Sequence, residues 1–184
     1  MRSNALKGFA AALILLVSAR AVGEILLTEQ QALKIVFPKS DTITTETKVL
    51  SATQREELQK RTGLRFPEPQ YKVFLAKTGA TSDGYALVMN EIGKHEFITF
   101  IVGINAKGQV GDVAIMDYRE SRGGEVREQR FLRQFRGKRS KDPIQVNNDI
   151  ANYSGATLSS YAIARGVKKA LALVETFHGA GKGK

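Results

Sequence analysis

Between residues 71 and 118 the chain holds four runs rich in β-branched and aromatic residues, 71–76, 85–92, 97–104 and 110–118. Connectors such as Gly93-Lys94-His95 and Asn105-Ala106-Lys107-Gly108 separate them. Parallel strands need a crossover of a dozen or more residues, so connectors this short force successive strands to run antiparallel. The run at 97–102 is apolar on both faces, which marks the central, most buried strand. No repeat of solenoid length is visible.

Helical signals flank this block. Thr28 with Gln31 makes a capping box for a short helix that Pro38 stops, and Ser51 with Gln54 makes a second for a helix ending at Gly63. Residues 40–49 between them read as a polar connector, and Pro67-Glu68-Pro69 as a stiff link. After the strands, residues 125–137 return to helical spacing, with Phe131, Leu132 and Phe135 on one side and Arg130, Arg133 and Arg136 on the other. The last helix is expected from about residue 158 to 177, its apolar positions Ile163, Val167, Leu171 and Val174 recurring every three or four residues. The expectation is a single α+β domain: a curved antiparallel sheet flanked by helices. Its parts are a leader at 1–21, an N-terminal helical segment at 22–70, the main domain at 71–178 and a flexible tail at 179–184.

Residues 1–21 have the form of an export signal. Arg2 and Lys7 precede an apolar run of about 11 residues, too short to cross a bilayer comfortably, and Ala19-Arg20-Ala21 offers a small-x-small cleavage site. Cleavage after Ala21 is the preferred reading and an uncleaved anchor the competing one. Either puts the body of the protein outside the cytoplasm. With no cysteine and only His95 and His178 as histidines, disulfides, thiolate metal sites and iron–sulfur clusters are excluded, so redox chemistry here needs an organic cofactor. The net charge of +10 is local. Residues 119–141 hold nine basic residues against three acids, and the leader carries three more cations. The arginine face suits an acidic redox partner or an anionic membrane surface, or is simply a solvated helix face. A nucleic-acid partner fits the charge but not the export signal.

Ser154-Gly155-Ala156-Thr157-Leu158-Ser159-Ser160 opens the last helix. Two readings stand side by side. Free amides and the helix dipole at such a terminus bind phosphate, small residues allow close approach, and the hydroxyls add polar contacts. Serine and threonine are equally the ordinary N-caps.

The segment resembles the flavinylation motif of the FMN-binding domain family, which includes the G subunit of Rnf electron-transport complexes and the C subunit of sodium-pumping NADH:quinone oxidoreductase. Further likeness lies in Glu29, Ala32, Leu33, Phe37 and Pro38, and in Glu120-Ser121-Arg122-Gly123-Gly124 followed by Phe131-Leu132 and Gln134-Phe135. The sequence departs from the family at two points: Ala151 stands where many members place an acid, and Arg122 replaces a proline.

The resemblance implies FMN joined to the Thr157 hydroxyl as a phosphoester, installed by a flavin transferase, with residues 71–178 as the FMN-binding domain. Ser154, Gly155, Ala156, Leu158 and Ser159 would frame the attachment. Glu120, Arg119 and Gly123, after the last strand, would contact the cofactor; an arginine there suits the flavin edge that gains negative charge on reduction. His95 reads as a solvated turn residue. The function implied is an extracytoplasmic electron carrier or subunit serving a membrane redox complex. The alternative is a non-flavinylated interaction subunit of the same fold that docks through its arginines.

Overall fold

The computed structural model describes residues 24–179, so the leader lies outside the described residues, as does the tail beyond Gly179. Strands β1 (Glu24–Ile25), β2 (Thr42–Val49), β3 (Gln70–Thr78), β4 (Thr81–Ile92), β5 (Phe97–Asn105) and β6 (Val110–Tyr118) form one sheet in the order β1-β6-β5-β4-β3-β2. Every pairing is antiparallel. Helices α1 (Glu29–Val36), α2 (Ala52–Thr62), α3 (Gln129–Leu132) and α4 (Thr157–His178) flank it. The architecture is the expected α+β domain, with β5 inside the sheet and buried along most of its length.

Side chains alternate across a strand, so the sheet buries two faces. On one, Leu87, Met89, Phe100 and Val102 meet Ile163, Val167, Leu171 and Val174 of α4, with Leu58 of α2 at the margin. On the other, Phe74, Ala86, Ile101 and Ala114 meet Ala32, Leu33 and Val36 of α1.

Two expectations fail. Residues 42–49 are not a connector: β2 pairs with β3 along its whole length, from Thr42 opposite Lys77 to Val49 opposite Gln70. The 22–70 segment therefore supplies strands as well as helices. The helix expected over 125–137 is broken into a 3-10 turn at Gly124–Arg127, the single turn of α3 and a second 3-10 turn at Arg133–Phe135. The apolar spacing still governs burial, since Phe131, Leu132 and Phe135 are all in the core while Arg130, Arg133 and Arg136 are exposed.

Candidate functional site

Helix α4 runs antiparallel to β4. Lys169 Nζ lies 2.6 Å from Glu91 Oε1, Arg165 Nη2 donates to the Ile92 carbonyl at 3.0 Å, and His178 stacks on Tyr85 with ring centroids 4.0 Å apart. That direction sets the N-terminus of α4 beside the β4–β5 turn and the loop that leaves β6.

The N-cap of α4 is Ala156, and no side chain caps the helix. The ordinary-cap reading of the Ser/Thr cluster therefore does not hold. Two of the hydroxyls are spoken for. Ser160 Oγ donates to the Ala156 carbonyl at 3.0 Å. Ser159 Oγ lies 3.0 Å from Tyr118 Oη, and Tyr118 gives its one proton to the Arg122 carbonyl at 2.7 Å, so Ser159 must be the donor. Burial holds the Tyr118 phenol above its ordinary pKa, against the Ser159 hydrogen bond, which keeps it the donor this relay requires. Both serines are buried.

Thr157 is different. It is exposed, and among the described residues its Oγ1 accepts only from Asn152 Nδ2, at 3.1 Å, leaving its own proton and a lone pair toward solvent. Ser154 and Gly155 beside it are exposed, Ala156 is buried, and Leu158 is 49% exposed.

Two glycines shape the cradle. Gly155 has φ +85°, left-handed backbone that other residues adopt only with strain, and a Cβ there would meet nothing nearer than Glu125 Oε1 at 3.9 Å. Gly123 has φ +82°, and its Cβ would stand 3.0 Å from Tyr118 Oη and 3.2 Å from both Ala156 Cα and Ser159 Oγ. The 120–124 loop thus seats against the first turn of α4. Tyr118 holds this loop by donating to the Arg122 carbonyl.

Glu120 and Arg119 each hold partners within the chain. Glu120 Oε1 accepts the amides of Lys94, His95 (2.7 Å) and Glu96 (3.1 Å), closing the β4–β5 turn. Burial pushes this carboxyl up, but the three amides outweigh it and hold it below the usual range. Arg119 pairs with Asp117 through Nε at 2.7 Å and Nη2 at 2.6 Å. His95 takes part through its backbone, in the turn where it was expected. Asn152 and the Tyr118–Ser159 link carried no signal in the sequence, because neither belongs to a spacing rule. A cavity of about 320 Å³ lies at the opposite end of α4, lined by Tyr85, Lys107, Arg139, Lys141 and His178, and is no part of this arrangement.

An uncapped helix N-terminus, an exposed threonine hydroxyl with an amide donor beside it, and two glycines in left-handed backbone fit a phosphate ester and the close approach of a bulky group. They define an α+β domain that exposes the Thr157 hydroxyl at the start of its longest helix. Residues 93–172 match the model of the FMN-binding domain family, from the β4–β5 turn through most of α4. Over 114 residues the chain is 29% identical to the G subunit of the proton-translocating ferredoxin:NAD(+) oxidoreductase complex of Clostridium ljungdahlii, a match covering 58% of this chain and 61% of that relative. Over residues 93–172 the chain is thus similar to the FMN-binding domain family.

Proposed function

We propose that Thr157 carries FMN as a phosphoester and that the domain relays electrons outside the cytoplasm, as a carrier or subunit of a membrane redox complex. The observation that carries this reading is the sorting of hydroxyls at the start of α4: Ser159 and Ser160 are buried and already bonded, while that of Thr157 faces solvent. A transferase can reach Thr157 and no other hydroxyl of that first turn. The likeness to one component of a ferredoxin:NAD(+) oxidoreductase complex supports electron transfer and a membrane-bound partner.

When bound, FMN supplies the redox chemistry. This chain's residues do the rest. Thr157 fixes the cofactor, Asn152 holds the attachment oxygen, and the first-turn amides of α4 face the phosphate charge. Gly155 and Gly123 keep backbone where a side chain would intrude, with Ser154, Ala156, Leu158 and Ser159 framing the threonine. Arg119 and Glu120 act from behind, by fixing the strand end and the turn. Export by the 1–21 leader supplies the extracytoplasmic location; among the described residues no helix is long and apolar enough to cross a membrane. The exposed Arg130, Arg133 and Arg136 supply a face for an acidic partner or an anionic membrane surface.

The test is co-production with a flavin transferase, followed by denaturing electrophoresis and intact mass. Wild type should fluoresce after denaturation and gain the mass of one FMN phosphoester. Thr157→Val should lose both, while Ser160→Ala keeps them. Flavin retained covalently by Thr157→Val would overturn the assignment.

A further inference from the structure

We infer that Asn152 is the positioning residue for the ester at Thr157, holding the oxygen both before and after attachment; this rests on the reading of Thr157 as the flavin acceptor. Asn152 Nδ2 reaches Thr157 Oγ1 at 3.1 Å. The backbone that delivers it is pinned from both sides by Gln134, whose Oε1 accepts from the Ala151 amide at 2.7 Å and whose Nε2 donates to the Ala151 carbonyl at 3.5 Å. Tyr153 next to it packs edge-on against Phe131, with ring centroids 5.4 Å apart. The carboxamide is thus set by a fixed segment and not by its own flexibility.

A threonine hydroxyl has one proton and two lone pairs. The amide N–H of Asn152 occupies one lone pair, fixes the side-chain rotamer and leaves the O–H outward. On attachment the Oγ1–P bond forms, the hydroxyl proton passes to a base of the transferase, and the P–O–P bond of flavin adenine dinucleotide breaks to release adenylate. Oγ1 has then lost its proton and carries a negatively charged phosphate. A donor remains matched to both states. A carboxylate at 152 would accept from the free hydroxyl but oppose the phosphate.

The other end of the side chain says the same. Asn152 Oδ1 is buried and has no hydrogen-bond partner among the described residues. An orphaned buried carbonyl is a cost that a leucine of similar size avoids. What the amide gains to offset it lies at Nδ2, on Thr157.

The experiment uses the full chain with the transferase and flavin adenine dinucleotide, following covalent fluorescence over time. Asn152→Leu and Asn152→Asp should lower the kcat of labelling by roughly 10- to 100-fold, Asp more than Leu, with the KM for the chain little changed. The phosphorus NMR resonance of the flavinylated fraction should shift from that of wild type, and the melting temperature before labelling should not fall. In wild type, the Asn152 side-chain amide protons should shift on flavinylation, a readout that survives even if a variant fails to fold. Variants labelled at the wild-type rate with an unmoved phosphorus resonance, or wild-type Asn152 amide protons that do not respond, would overturn the inference. A wild-type chain that takes up no flavin is a distinct result: it removes the acceptor reading and this inference with it.

Discussion

Helices α1 and α2 begin in one way and α4 in another. Thr28 Oγ1 accepts the Gln31 amide at 3.3 Å while Gln31 Oε1 accepts the Thr28 amide at 2.9 Å, and Ser51 with Gln54 repeats the exchange at 3.2 and 3.1 Å. Both short helices are closed at the start. The α4 terminus has more hydroxyls than either and no side-chain cap. The difference follows from burial. Helix α2 buries only Leu58 and α1 only Ala32, Leu33 and Val36, so local bonds must help hold them. Helix α4 buries twelve of its residues and does not depend on a cap. A helix held by its core can leave its first amides open for a ligand.

Gly123→Ala strikes the open end hardest. A side chain there meets Tyr118, Ala156 and Ser159 in a left-handed conformation, and the expected loss is about 1–3 kcal/mol of stability, read by denaturant unfolding. Flavinylation should fall with it, because the loop and the first turn of α4 part. An unchanged unfolding midpoint would mean that the loop is not braced on α4.

Ser51→Ala tests the closed ends. Loss of that cap should cost about 1 kcal/mol, within the usual range of 0.5–2, and leave flavinylation at the wild-type rate. If labelling fell as well, the two kinds of terminus would not be independent.

The smallest effect is in the pH dependence of the brace itself. The Glu120 carboxyl titrates below its ordinary value in the folded state, so its contribution is fully present above the unfolded pKa and is lost as pH falls through the folded one. On acid titration the amide resonances of Lys94, His95 and Glu96 should move together, with a midpoint below that of an ordinary glutamate. Glu120→Gln should abolish that common step and flatten the acid limb of the stability curve. Three separate midpoints in wild type would count against a shared carboxylate.

Strands β3 to β6 and all three longer helices were legible because each follows a period or a capping rule that survives in a single sequence. Thr157 was legible as one candidate hydroxyl among several, and as the proposed acceptor only through the resemblance to the family motif. Strand β2 was missed for a physical reason: TITTETKV sits at the sheet edge, largely solvated, with Val49 70% exposed, so it carries no apolar stripe. Its run of threonines was the available signal. The break-up of residues 125–137 follows from a segment that reaches Val110 at the start of β6, where Gly137 and Lys138 exchange hydrogen bonds with that residue. The roles of Glu120 and Asn152 depend on which groups the fold brings near, and Glu120 and His95 are 25 residues apart.

Helix α4 is also a ruler. Its 22 residues span about 33 Å at roughly 1.5 Å each. A fluorophore or affinity handle placed at Gly179 therefore sits about a helix length from Thr157, and the chain can be held by one pole of α4 while the other is followed.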